Sequence, residues 1–176
     1  MSNTLYAVNQ YPIQILLSWV EAGEIAIPEI QRPFVWSGKQ VRELIDSLYK
    51  GYPIGYLIAW KNHDVRLKTG ESSTGKKILI DGQQRITALM ASVLGNRVVN
   101  KHYKKSRIQI AFHPIKEKFE VHNPAIEKDS TWLKDISTII NTSSNFLHIV
   151  NDYIEVNPEC SQDDVFNKLQ KLRNIV

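Results

Sequence analysis

The sequence predicts an α/β (α+β) fold: a small mixed sheet with helices packed on it, followed by a helical segment. Three observations lead there. The apolar run Ile78-Leu79-Ile80 passes through a glycine directly into an amphipathic helix, as a buried strand does when it feeds a helix. Short apolar runs punctuated by Gly and Pro alternate with helical periodicity up to Asn123-Pro124. Beyond that dipeptide the pattern is helical throughout. The expected organisation is therefore 1–124 as the sheet-containing domain and 125–176 as a helical segment.

In chain order, Tyr11 to Ala22 reads as a helix, with Pro12 at its first position and Ile13, Leu16, Leu17 and Val20 at helical spacing before Gly23. Ile25-Ala26-Ile27 is a short strand ended by Pro28. Ser37 caps a second helix, and Gln40 three residues on completes a capping box. Val41, Leu44, Ile45, Leu48 and Tyr49 form its apolar stripe, and Gly51 with Pro53 stops it. Gly55 to Trp60 is expected to be a strand buried on both faces, and the Gly/Ser/Thr-rich stretch Asn62 to Lys77 a mobile loop. Gln83 to Leu94 is the third helix. Arg107 to Phe112 and Lys118 to His122 resemble paired strands joined around Pro114. Three helices are expected to follow: Thr131 to Ile140, Ser144 to Ile154, and Ser161 to Val176. The last shows no stop signal, which suggests a chain cut from a longer protein.

Composition excludes several classes. A hydrophobic fraction of 43% with 23% charged residues is ordinary globular usage. The single Cys160 excludes an internal disulfide framework and leaves too few thiols for a zinc cluster. His63, His102, His113, His122 and His148 show no metal-ligand spacing. No apolar run approaches the length of a membrane span, and the N-terminus lacks a signal-peptide pattern. A cytoplasmic protein with no membrane partner is expected. The net charge of +4 is concentrated: Arg97, Lys101, Lys104, Lys105, Arg107, Lys116 and Lys118 stand against Glu117 alone. Such a run is either a solvated hairpin or a stripe facing nucleic-acid phosphates, with Lys101, Lys104, Lys105 and Arg107 as its DNA-binding candidates.

The strongest local signal is Asp81-Gly82-Gln83-Gln84-Arg85 at the strand-to-helix turn. The first turn of a helix carries N–H groups without intrahelical partners and the positive end of the macrodipole, and so can hold a phosphate. Gly82 permits close backbone approach, and Arg85 can clamp an anion with two parallel hydrogen bonds. Asp81 can hold Mg²⁺ or orient a water, or it merely caps the helix. Gln83, Gln84 and Thr87 add neutral polar groups. A second segment runs from Ile27 to Ser37. There Arg32 is a candidate second phosphate ligand, and Trp36 and Phe34 either stack on a base or anchor the loop on the core.

The run I-P-x-I-Q-R-P-F-V-W, the helix closing in S-L-Y-K-G-Y-P-I-G, a strand ending in W-K, and then I-D-G-Q-Q-R-I-T-A-L together resemble one family. They are similar to the N-terminal domain of GmrSD-type modification-dependent restriction enzymes, within the ParB/sulfiredoxin-like superfamily. The likeness covers roughly residues 10 to 95. It implies nucleotide binding and nucleoside-triphosphate (NTP) hydrolysis coupled to recognition or cleavage of modified phage DNA. On this likeness Asp81, Gly82, Gln83, Gln84 and Arg85 take the phosphate and catalytic roles, with Gln31 and Arg32 facing them. An NTP and Mg²⁺ are the implied cofactors. DNA, a nuclease domain in cis or trans, and a second copy of the chain are the implied partners. One departure is plain: no H-N-H cluster of the family's C-terminal nuclease occurs here. The leading expectation is an NTP-binding and hydrolysing sensor domain of an anti-phage restriction system. Its rivals are a non-catalytic DNA-binding or regulatory module and a ParB-like nuclease.

Overall fold

The computed structural model describes residues 6–27, 33–61, 76–100, 102–141 and 145–176. The fold is α+β, as the sequence predicts. Elements follow in the order α1 (Ile13–Glu21), β1 (Ile25–Ala26), α2 (Gly38–Tyr49), β2 (Ile58–Lys61), β3 (Lys77–Asp81) and α3 (Gln83–Ser92), which carry the site. Next come β4 (Val98–Val99), β5 (Lys105–Ser106), β6 (Ile110–His113) and β7 (Lys118–Val121), and then α4 (Pro124–Lys128), α5 (Ile136–Ile140), α6 (Phe146–Val156) and α7 (Gln162–Arg173). A mixed three-stranded sheet has the order β1-β3-β2, with β1 parallel and β2 antiparallel to the central β3. β4–β5 and β6–β7 form two separate antiparallel hairpins.

Local chemistry accounts for the elements read correctly. The capping box of α2 forms in full: Ser37 Oγ accepts from the Gln40 N–H, and the Gln40 side chain accepts from the Ser37 N–H at 2.9 Å. Ser161 caps α7, whose first turn carries Asp163 and Asp164 and whose last turn carries Lys171 and Arg173, matching the helix dipole at both ends.

Four expectations are corrected. The strand expected over 55–60 is Ile58–Lys61, and all four of its residues are exposed. Among the described residues it pairs on one side only, with β3, which makes it an edge strand, and the exposure of all four residues shows that it is not enclosed on both faces. The helix expected from Thr131 begins at Ile136, because Leu133 instead exchanges two 2.8 Å backbone hydrogen bonds with Phe112 and extends the β6–β7 pairing. Asp135 then caps α5 through the Ser137 N–H. The helix expected to run to Val176 ends at Arg173 with Asn174 as its cap. At α3 the N-cap is Gly82, in the left-handed region at φ 92°, rather than Asp81. The polar stretch 62–75 lies outside the described residues.

The main core joins both expected parts of the chain. Val41 and Ile45 of α2, Phe112 and Phe119 of the β6–β7 hairpin, Ile136 of α5 and Leu169 and Leu172 of α7 belong to one buried cluster. Phe112 and Phe119 stack at 4.7 Å, and Tyr49 packs against both rings. The Tyr49 hydroxyl donates to Glu117 Oε1 at 2.7 Å, and Lys168 reaches the same oxygen at 3.0 Å. The hydrogen bond from Tyr49 holds the Glu117 carboxyl below its ordinary range, against its partial burial and with help from Lys168. α7 is thereby tied to α2 through a turn of the intervening hairpin. A smaller cluster of Ile25, Leu79 and Ile86 seats β3 and α3 on α1, and this packing fixes the strand-to-helix turn in place.

Candidate functional site

β3 ends at Asp81, and Gly82 reverses the chain into α3. A side chain at Gly82 would collide with Leu57 Cδ2, and the positive φ adds strain for any other residue, so the turn requires glycine. The residues that follow are engaged with the protein on every side. Gln83 Nε2 donates to the Leu79 carbonyl at 2.9 Å. Gln84 spans two backbone groups of the preceding loop: its Oε1 accepts the Val35 N–H at 2.9 Å and its Nε2 donates to the Pro33 carbonyl at 3.3 Å. Arg85 donates through Nη1 to the Ile54 carbonyl at 2.7 Å and through Nη2 to Asp81 Oδ2 at 3.0 Å. Its side chain is 17% exposed, whereas that of Asp81 is 64% exposed. The guanidinium is therefore fixed, and the carboxylate is its water-facing partner. Gly55, also at positive φ, leaves room for this arrangement, since a Cβ there would sit 2.6 Å from Arg85 Nη1. Thr87, half-buried, follows on α3.

A cleft of about 290 Å³ opens beside Arg85. Trp36, Gln40, Glu43 and Ser47 line it, and Leu44, Pro53 and Ile54 supply apolar wall. Its size falls just below the range for ligand sites, roughly 300–1,000 Å³. Trp36 is half-buried, so its ring meets both the core and the cleft, while Phe34 is 6% exposed and belongs to the core. The structure thus brings Arg85 and Trp36 together across 49 positions of sequence. Sequence reasoning missed the α2 contribution. The signal was available: Gln40, Glu43 and Ser47 recur at i, i+3 and i+7, which places them on one helix face. Glu43 is 53% exposed and pairs with Arg42 at 3.3 Å.

Gln31 and Arg32 lie outside the described residues, as does Lys101. Lys104 and Lys105 are exposed at the β4–β5 hairpin. Arg107 is committed elsewhere: Nη2 donates to Asp135 Oδ2 at 2.6 Å and Nη1 to the Gly95 carbonyl at 2.7 Å. Burial works to raise the Asp135 pKa, but hydrogen bonds from Arg107, Ser137 and Gln109 outweigh it and hold the carboxyl below its ordinary value. Arg107 therefore joins the end of α3 to the cap of α5. Among the described residues there is no group of three or more His, Cys, Asp or Glu that can hold a metal ion, and no helix long and apolar enough to cross a membrane.

Across residues 13–176 the chain matches the family described as GmrSD restriction endonuclease, N-terminal domain. It is also 34% identical over 85 residues to an uncharacterized protein of Methanocaldococcus jannaschii, MJ0686, in an alignment covering 40% of this chain. That alignment spans 15% of the archaeal protein's length.

Proposed function

Since the chain belongs to the GmrSD restriction endonuclease N-terminal domain family, we propose that it is the NTP-binding and hydrolysing sensor domain of an anti-phage, modification-dependent DNA restriction system. It works in the cytoplasm with DNA as its partner and a nuclease supplied in cis or trans. The observation that carries this reading is the meeting of Arg85, on the first turn of α3, with Trp36 in one cleft.

The residues fit the chemistry of a triphosphate. Arg85 is a fixed, largely buried cation at a helix N-terminus, where phosphate charge is stabilised. Trp36 offers a base an aromatic face, and Gln40 and Ser47 offer hydrogen bonds. Mg²⁺ typically binds through one or two carboxylates together with phosphate oxygens, and the exposed Asp81 carboxylate fits that role. When bound, the metal supplies charge neutralisation at the phosphates. In this reading Arg85 orients the phosphate chain, and Asp81 would hold the metal or a water.

A second reading, binding without turnover, draws on one observation. Gln84 uses both ends of its amide on backbone, and Asp81 is ion-paired, so neither is free of an internal partner. Phosphate release from each of the four NTPs, with and without DNA, tests both. Sustained release supports the hydrolase, saturable binding without release supports the binder, and no binding of any NTP overturns both.

A further inference from the structure

The turn of the β4–β5 hairpin carries Tyr103 at φ 59°, in the left-handed region that bulky side chains rarely adopt. Asn100 holds it there. Its side-chain oxygen accepts the N–H groups of His102 and Lys104 at 2.9 and 3.2 Å, and its carbonyl accepts the Tyr103 N–H at 2.9 Å. The ring itself is 80% exposed, so packing does not account for it. A glycine or asparagine would suit this backbone better. On the same hairpin and just before it, Arg97, Lys104 and Lys105 are exposed, and none of them forms an ion pair among the described residues. Between Arg97 and Arg107 the sequence has no acidic residue. An aromatic ring held outward on a strained turn, on a hairpin with unneutralised cations, has the chemistry of a wedge for a base step held by phosphate contacts.

We propose that the β4–β5 hairpin docks on duplex DNA, with Tyr103 inserted at one base step and stacking on the bases it parts, while Arg97, Lys104 and Lys105 contact the flanking phosphates. This inference rests on DNA being the partner, as proposed above, and adds the residue that reads the stack. Polyanion binding alone would need only the cations.

The test uses the full chain with a short fluorescein-labelled duplex, and a second duplex carrying 2-aminopurine, titrated over a range of KCl. Tyr103→Ala should bind about 10-fold more weakly, within the range for removal of one base–aromatic stack. Tyr103→Phe should bind like wild type. The slope of log K against log salt should be the same for all three, since no charge is removed. The 2-aminopurine signal should respond to wild type and Tyr103→Phe and not to Tyr103→Ala. Tyr103→Gly should melt at the same temperature as wild type or higher, because it relieves the positive φ, and yet bind as weakly as Tyr103→Ala. Wild-type affinity in both the Ala and Gly variants would overturn the stacking role while leaving DNA as a partner. Failure of wild type to bind any duplex would overturn the DNA reading and this inference with it.

Discussion

Gln84 and Val35, 49 residues apart, are joined as two strands of a sheet would be: the side-chain amide accepts the Val35 N–H while donating to the Pro33 carbonyl. The side chain thus stands in for a peptide unit and holds the loop before α2 against the first turn of α3. Gln84→Ala should lower stability by about 1–2 kcal/mol, the scale of two partly solvated hydrogen bonds. It should weaken nucleotide binding as well, because Trp36 follows directly in the released loop. Urea denaturation and calorimetric titration on the same variant check both. Reduced stability with unchanged affinity would separate the loop from the cleft.

Arg85→Ala should abolish measurable nucleotide binding. One charge-assisted phosphate contact is worth about 1.5–3 kcal/mol, and the variant also frees the Ile54 carbonyl from its donor. Arg85→Lys should bind weakly too, since one ammonium cannot reproduce a fork that serves the carbonyl and an anion together. Calorimetry on folded protein with wild-type affinity in either variant would remove Arg85 from the phosphate site.

Asp81→Asn should keep nucleotide affinity or tighten it, because an anion leaves the neighbourhood of Arg85, while phosphate release falls to background. Full turnover in this variant would assign Asp81 to holding Arg85 and nothing more.

Asp135 sets an acid limit on stability. Its folded-state pKa lies below the unfolded value, so the stabilisation is complete above the unfolded pKa, about 3.9, and is lost as pH falls through the folded value. Wild type should therefore lose stability steeply below about pH 4, and Asp135→Asn should show a shallower fall over the same range. At neutral pH the variant should be less stable by about 2 kcal/mol, a figure discounted because Arg107 is partly exposed. Urea melts of both proteins between about pH 3 and pH 7, a window set by those values, measure the difference.

Replacing Lys104 and Lys105 together with alanine should weaken binding to every duplex alike and flatten the salt slope by about 0.9 for each phosphate no longer neutralised. Nucleotide affinity should be unchanged. Arg107→Ala should act differently, lowering stability through Asp135 and Gly95 and leaving the salt slope as it is. Filter-binding titrations across a KCl series, run beside urea melts, distinguish the two variants.

Legibility followed the range of the interactions. The Ser37–Gln40 capping box and the Ser161 cap are local, and the sequence announces both. The strand-to-helix turn at Gly82 was equally readable, since it needs only an apolar run, a glycine and a helical stripe. The exposure of β2 depends on which elements pack over the two faces of the sheet, which the run GYLIAW does not encode. The late start of α5 depends on Leu133 pairing with Phe112, a partner 21 positions away. In the site, the run of strand, glycine and helix is readable from the sequence, but the partners of Gln84 are not, because both lie in a loop about fifty residues upstream. The α2 wall of the cleft is written at helical spacing, but its residue types are common on solvated faces, so the spacing alone does not mark a site.

The backbone from Phe34 to Trp36 is a strut with three attachments. The Phe34 N–H bonds to the Val99 carbonyl next to the turn of the β4–β5 hairpin, Val35 is held by Gln84, and Trp36 opens on the cleft. Hairpin and cleft are thus separated by three consecutive residues, each pinned to a different element. Any coupling free energy carried by this strut is the same in both directions: the factor by which a nucleotide changes DNA affinity equals the factor by which DNA changes nucleotide affinity.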